Sequence, residues 1–303
     1  MNNVLVNNVW RLHLATMGWE AMPALRVARL DHACCAVRSS LVVIGGQILS
    51  DDVTGSVEMF AEGGVALPNQ PPCLSCGGIG GAAAIAVDES DSAAGQVLLL
   101  GEFDEDEEFV STVYLVDLAT DVGTPQPNLL HARGHFAAAR LPDGRIVCAG
   151  GGDSTTVLSS AEVLEPPVQG ALDTAWACRE LPAMIVARDG CRECVLSDGR
   201  FAVLGGGGDI HDELLSSCEA LLVGDDEHWE MLPPMHEARS YFACAALARC
   251  IVVAGGHRGR DPLGCFVDLR SAEVFDEVFD RWLWLPCNLP YDNGLIRMGS
   301  ALL

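Results

Sequence analysis

The stretch 235–286 reads MHEARSYFACAALARCIVVAGGHRGRDPLGCFVDLRSAEVFDEVFDRWLWLP. Arg239 opens one apolar run, and a second apolar run ends in Gly255-Gly256. After a polar loop, Ser271-Ala272-Glu273-Val274-Phe275 leads through a turn to a Trp-rich run that closes on Pro286. Apolar, β-branched runs of about 5–8 residues between turn residues read as strands rather than as helix. The stretch is four strands long.

The same order of residues recurs along the chain. Gly pairs end apolar runs at Gly45-Gly46, Gly150-Gly151, Gly205-Gly206 and Gly255-Gly256. An arginine heads the preceding run at Arg29, Arg133, Arg188 and Arg239, and Arg297 heads a last apolar run. Third strands begin Ser56-Val-Glu58, Ser160-Ala-Glu162, Ser217-Cys-Glu219 and Ser271-Ala-Glu273. A period near fifty residues marks a repeat architecture. The copies in register resemble kelch repeats, and the resemblance covers essentially the whole chain.

That resemblance implies an all-β fold: a six-bladed kelch β-propeller with four-stranded antiparallel blades, one domain over 1–303. The blades fall at about 22–70, 71–126, 127–182, 183–232 and 233–286, with a split blade made of 287–303 plus 1–21. Pairing of the N- and C-terminal strands closes the ring and removes a free sheet edge. Blade two is the least regular: GGAAAIAV lacks the arginine, and Gly101-Glu102 replaces the Gly pair. A substitution at Gly101 is therefore expected to be milder than one at Gly255. The Trp at 19, 176, 229 and 282 or 284 is similar to the family's fourth-strand aromatic, which packs between blades.

Composition bounds the partners. The hydrophobic fraction of 50% and mean hydropathy of +0.25 suit strands buried on both faces. The formal net charge of −24 opposes phosphate backbones and anionic lipid, which are bound by cationic side chains, so neither nucleic acid nor membrane is expected as a partner. All 18 basic residues are Arg. The 13 cysteines lie largely inside apolar runs, where they act as small hydrophobes, and no secretory leader pattern opens the chain. A reduced compartment, cytoplasm or nucleus, and a monomer are expected.

Arg29, Arg133, Arg188, Arg239 and Arg297 are the sharpest candidate site, with His32, His135 and His257 beside them. The first four stand 16–17 residues before their Gly pairs. The resemblance implies that arginines so placed line a peptide-binding basin, where a guanidinium holds carboxylate bidentately. The opposing reading pairs each Arg with a buried Glu58, Glu162, Glu219 or Glu273, because buried charges need partners. The pairs Cys73/Cys76 and Cys191/Cys194 belong to different blades. Residues three apart on a strand face opposite sides, so no metal or other cofactor is expected.

Two functions remain open at this level. One is a non-catalytic interaction module that binds a protein partner or short acidic peptide, as the substrate-recognition part of a ubiquitin ligase or another complex. Any ligase role is expected to need a separate subunit. The other is a kelch-type small-molecule enzyme: a specifier-like lyase, a sugar epimerase or a copper oxidase. Tyr114, Tyr241 and Tyr291 form no convincing copper constellation in the sequence, and no Glu/Asp/His triplet at i, i+4, i+8 marks an iron site. Ring closure carries its own test. Deleting 295–303 removes Leu295, Ile296, Leu302 and Leu303, and burial of each is worth about 1.5–3 kcal/mol. The truncated chain is expected to melt lower and to associate; an unchanged melting temperature in a monomer rejects closure.

Overall fold

The computed structural model describes residues 7–290 apart from 49–51, 62–73, 75–76, 88–93, 104–107, 154, 168–174, 209–212, 225 and 263–265. The described residues form strands and no helix. A hairpin comes first, β1 (Val9–His13) with β2 (Gly18–Met22). Five antiparallel sheets follow in chain order. The first contains β3 (Ala33–Val37), β4 (Ser40–Ile44) and β5 (Val57–Ala61). The second contains β6 (Ala83–Val87), β7 (Gln96–Phe103), β8 (Phe109–Asp117) and β9 (Val122–Pro125). The third is β10 (Ala137–Arg140), β11 (Ile146–Ala149), β12 (Ala161–Glu165) and β13 (Ala177–Leu181).

The fourth sheet is β14 (Arg192–Val195), β15 (Phe201–Leu204), β16 (Cys218–Leu222) and β17 (His228–Leu232). In the fifth, a small hairpin of β20 (His257–Arg260) and β21 (Phe266–Asp268) is inserted between the second and third strands. That sheet is β18 (Ala243–Leu247), β19 (Cys250–Ala254), β22 (Ala272–Asp276) and β23 (Arg281–Trp284). The innermost strands β3, β6, β10, β14 and β18 touch in that order. The chain is thus an all-β propeller with five blades of antiparallel strands. The sequence reading gave blade one a fourth strand near 63–69, which lies outside the described residues, as do Arg297 and the terminal run 295–303.

The core lies between blades. Val42, Ile44, Met59, Val97 and Leu99 join blades one and two, and Leu98, Leu100, Ile146 and Leu164 join two and three. Three fourth-strand tryptophans seal such seams. Trp176 packs between blades two and three, Trp229 between three and four, and Trp282 between four and five. The indole N–H of Trp229 donates to Pro182 O at 2.8 Å and that of Trp282 to Pro233 O at 2.9 Å, so each ring is also pinned to the end of the previous blade. Trp284 is instead 51% exposed, stacked on His236.

The Gly pairs have two separate steric reasons. A Cβ on the first glycine would meet the next blade's entering loop: Arg188 O at 2.7 Å from Gly150 and Arg239 O at 2.6 Å from Gly205. A Cβ on the second would meet its own blade, Gly134 O at 2.5 Å from Gly151. Gly101 overturns the expectation of a milder position. Its φ is +59°, and a Cβ there would stand 2.5 Å from Arg133 O, so it fills the role of a first glycine. The second glycine is dispensable in blade two because β7 runs on to Phe103, past a register shift between Leu100 and Glu102. Gly101→Val and Gly150→Val are both expected to lose about 3 kcal/mol or more, from positive φ and backbone overlap together. Urea denaturation checks this; a Gly101 variant near the parent's midpoint contradicts the assignment.

Candidate functional site

Arg29, Arg133, Arg188 and Arg239 stand in the loops that enter blades one, three, four and five, and all four are buried. Each spans the same corner. Arg133 Nη1 donates to Gly150 O (2.6 Å) and Ser160 O (3.1 Å), and Nη2 to Ser160 Oγ (3.0 Å) and Glu162 Oε1 (2.7 Å). Arg188 reaches Gly205 O, Ser217 O and Glu219 Oε1 at 2.7–2.9 Å. Arg239 meets Gly255 O at 2.9 Å and Glu273 Oε1 at 2.7 Å; Arg29 meets Gly45 O and Glu58 Oε1, both at 2.7 Å. The carboxylates then hold the entering loops: Glu58 accepts from Arg26 N, Glu162 from Leu130 N, Glu219 from Ile185 N and Glu273 from His236 N, at 2.6–2.8 Å. The guanidinium groups face into their blades and are neutralised there. An arginine-lined basin is therefore not what these four residues form, because their charges are met by Glu58, Glu162, Glu219, Glu273 and backbone carbonyls.

Blade two builds the corner without charge. The Ile79 carbonyl accepts from Gly46 N at 2.6 Å, as the Arg188 carbonyl accepts from Gly151 N at 2.7 Å, so Ile79 holds the arginine's place. Leu129 N donates to Ser111 O as Met184 N donates to Ser159 O, which puts Tyr114 where Glu162 stands. Ile79 and Tyr114 join one apolar cluster.

Two residues beyond each arginine the backbone turns left-handed: φ is +51° at Asp31, +53° at His135, +59° at Gly190 and +53° at Tyr241, with Gly81 at +67° in blade two. These five residues are chained blade to blade. Gly81 N donates to Asp31 O (2.9 Å), His135 N to Gly81 O (3.4 Å), Gly190 N to His135 O (3.0 Å) and Tyr241 N to Gly190 O (2.8 Å). They line one mouth of the space between the innermost strands.

Below the mouth lies a cavity of about 110 Å³, bordered by the first strand of every blade. Among its lining residues are Asp31, His32, His135, Arg192, Glu193 and Tyr241. The Tyr241 hydroxyl donates to Asp189 Oδ2 at 3.0 Å and stands 3.3 Å from His135 Nδ1. Tyr241 stacks on His257 at 5.8 Å and meets His135 edge-on at 5.2 Å. On β14, neighbours reach opposite blades: Arg192 Nε donates to Phe242 O in blade five at 2.8 Å, while Glu193 accepts from the backbone of Ala138 in blade three. Burial lifts the Glu193 carboxyl to about 7 against the pull of Arg192. Burial, then Arg29 and Arg192, push His32 down to about 4, so its ring is neutral near pH 7. Burial also raises the Cys34 thiol to about 12, which keeps it protonated.

The structure therefore brings His32, His135 and His257 together around the mouth and withdraws the four arginines from it. The sequence reading missed Asp31, Asp189, Arg192, Glu193 and Tyr241. Their signal was positional: Asp31, Asp189 and Tyr241 stand one or two residues after a repeat arginine. Cys191 and Cys194 pack into different interblade clusters, facing opposite ways as their spacing implied. Cys73 and Cys76 lie outside the described residues.

With its repeated Gly pairs and interblade tryptophans on a propeller, and with the relatives that follow, this chain is a kelch-repeat propeller protein. It is 26% identical over 304 residues to human (Homo sapiens) Kelch-like protein 34, across 95% of this chain and 44% of that protein. Two F-box/kelch-repeat proteins of Arabidopsis thaliana match shorter parts. One is 37% identical over 93 residues, 30% of this chain and 22% of that protein. The other is 38% identical over 60 residues, 20% of this chain and 15% of that protein. The chain spans less than half the length of each of these relatives. No family model matches it.

The corner makes a quantitative prediction. Arg188→Ile alone strands the Glu219 carboxylate in the interior and is expected to cost about 3–5 kcal/mol. Arg188→Ile with Glu219→Tyr installs blade two's pair and is expected to recover a large part of that loss. Denaturation of both variants decides it; a double variant no more stable than the single shows that the corner depends on charge.

Proposed function

We propose that this propeller is a non-catalytic protein-interaction module that docks a partner segment over the channel mouth. The observation that carries the reading is the convergence of polar side chains from different blades, Asp31, His135, Asp189 and Tyr241, on one opening. The similarity to kelch-like and F-box/kelch-repeat proteins supports it, and supports a role as the recognition part of a ubiquitin ligase or another complex. In the enzyme reading, the channel's Tyr241, His135 and His257 would be the reacting groups. Among the described residues no group of three or more His, Cys, Asp or Glu is arranged to hold a metal ion.

The reading includes a closed, six-bladed ring acting as a monomer in the cytoplasm or nucleus. Val9 of β1 packs beside Val43 and Phe60 of blade one, while Trp19 of β2 packs against Ala254, Ala272 and Leu289 at blade five. A hairpin that touches both ends of the five-blade arc supports a sixth position in the ring. In sequence, Arg297-Met298-Gly299 repeats the spacing of Arg188-Asp189-Gly190.

Site-specific photo-crosslinking tests the docking face. Thr155 is exposed on the loop between β11 and β12, on the mouth side, and Val278 is 58% exposed on the turn between β22 and β23, at the opposite end. A photoreactive residue at Thr155 is expected to capture a discrete protein in cells, and one at Val278 is not. Equal capture from both positions, or capture from Val278 alone, rejects the mouth as the docking face.

A further inference from the structure

Three buried cysteines gather in one seam of the propeller. Cys194 on β14, Cys218 on β16 and Cys244 on β18 share the apolar cluster between blades four and five, while Cys148 and Cys191 pack into two other seams. Cys194 is 6% exposed and Cys244 8%. The Cys194 thiol is hydrogen-bonded to that of Cys244. Cys218 uses a different acceptor, donating to Ser216 O at 3.6 Å.

The propeller itself sets up this meeting. First strands all follow the left-handed residues of the mouth and run away from it, so β14 and β18 lie side by side in the same direction. They are tied at their mouth ends: Tyr241 N donates to Gly190 O at 2.8 Å, and Ser240 Oγ to the same oxygen at 3.3 Å. Further along, Arg192 Nε reaches across to Phe242 O at 2.8 Å. Side chains alternate along a strand, so Cys194 faces the same way as Arg192, towards blade five, and Glu193 faces blade three. One alternation beyond Arg192 and Phe242 stand Cys194 and Cys244, abreast.

Buried cysteines ordinarily serve as small hydrophobes, and burial protects them from chemistry. This pair differs in two respects: its sulfurs are in contact across an interface, and one of them can be reached. Cys244 lines the cavity below the mouth, so a small molecule that enters meets Cys244 before Cys194, which does not border the cavity. The hydrogen bond to Cys244, and then burial, push the Cys194 thiol well above its ordinary range, so it suits the second step rather than the first.

We propose that Cys194 and Cys244 are a cross-linking site, a dithiol that a small peroxide closes into a disulfide stapling blade four to blade five. The Cys244 sulfur attacks the peroxide, the O–O bond breaks, and a sulfenic acid and water result. The Cys194 sulfur then attacks the sulfenic sulfur. The S–S bond forms, the S–O bond breaks, and the departing hydroxide leaves as water with the Cys194 proton. The two thiols together lose two electrons, which the peroxide gains. The bond closes the loop from 194 to 244 and so restricts the unfolded chain. The site is independent of what docks at the mouth.

Trypsin isolates the two sulfurs. The chain has no lysine, and cleavage after its arginines gives residues 193–200, with Cys194 as the sole cysteine, and 240–249, with Cys244 as the sole cysteine. The reduced full chain is treated with hydrogen peroxide, its remaining thiols are blocked with N-ethylmaleimide, and the digest is read by mass spectrometry. The expected product is 193–200 joined to 240–249, lighter than the two peptides together by two hydrogens and separated again by dithiothreitol. Cys244→Ala is expected to leave Cys194 reduced. Cys194→Ala is expected to stop at a Cys244 sulfenic acid that dimedone labels. The cross-linked parent is expected to unfold at a higher urea concentration than its reduced form. The site is overturned if the folded chain yields no joined peptide, or yields it no more selectively than chain oxidised in urea, where any two cysteines can meet. Cys194 oxidised as readily in Cys244→Ala as in the parent overturns the order of the two steps, and a cross-link that lowers the urea midpoint overturns the staple.

Discussion

The constraint that organises this propeller is the blade corner, which a buried arginine–glutamate pair fixes in blades one, three, four and five. One guanidinium ties the end of the second strand to the start of the third, and its carboxylate partner ties both to the loop that brings the chain in from the previous blade. Two ions taken out of water are a poor source of net stability, yet removing either one leaves the other stranded. The pair is therefore better understood as a device that fixes geometry: a corner that is either complete or badly unsatisfied allows one arrangement. Blade two, with Ile79 and Tyr114 in the same places, closes its corner with apolar side chains. The ion pair specifies the corner without being indispensable to the fold.

That corner sets the mouth. Because each entering loop is anchored at its arginine, or at Ile79 in blade two, the second residue beyond it is delivered to the mouth in a left-handed turn, and these backbones link one blade to the next. The scaffold constrains the main chain at Asp31, His135, Gly190 and Tyr241 without dictating which side chain stands there. Side chains at these positions can differ between blades, and they do: carboxylate, imidazole, hydrogen and phenol. Chemistry at the axis is thereby separated from the staples that hold the blades. The β7–β8 extension and the β20–β21 hairpin add to the same rim, where they lengthen individual blades without touching the corner.

Much of the architecture was legible because repeats constrain backbone, and backbone constraints leave residue-type marks. Only glycine tolerates a carbonyl 2.5–2.7 Å from its Cβ position with φ positive, so Gly150-Gly151 could be read as a strand end. Only a large ring with a donor fills an interblade seam and caps a proline carbonyl, so Trp229 and Trp282 could be read as fourth-strand anchors. Gly101 was misjudged because the missing second glycine looked like a missing corner. The lengthened β7 had removed the need for it.

The sequence by itself determined the strand count per repeat, the punctuation of each blade and the two possible fates of the arginines. It could not choose between those fates, because an arginine written 16 or 17 residues before a Gly pair reads the same whether its fork faces a ligand or Glu162. Only the tertiary structure decided, by bringing a third-strand carboxylate within 2.7 Å of each of Arg29, Arg133 and Arg239, and within 2.8 Å of Arg188. The same is true of the mouth. Asp31, His135, Asp189 and Tyr241 come from four different blades and are scattered over more than two hundred residues of chain, so no local pattern links them. Their proximity exists only because the blades turn about a common axis.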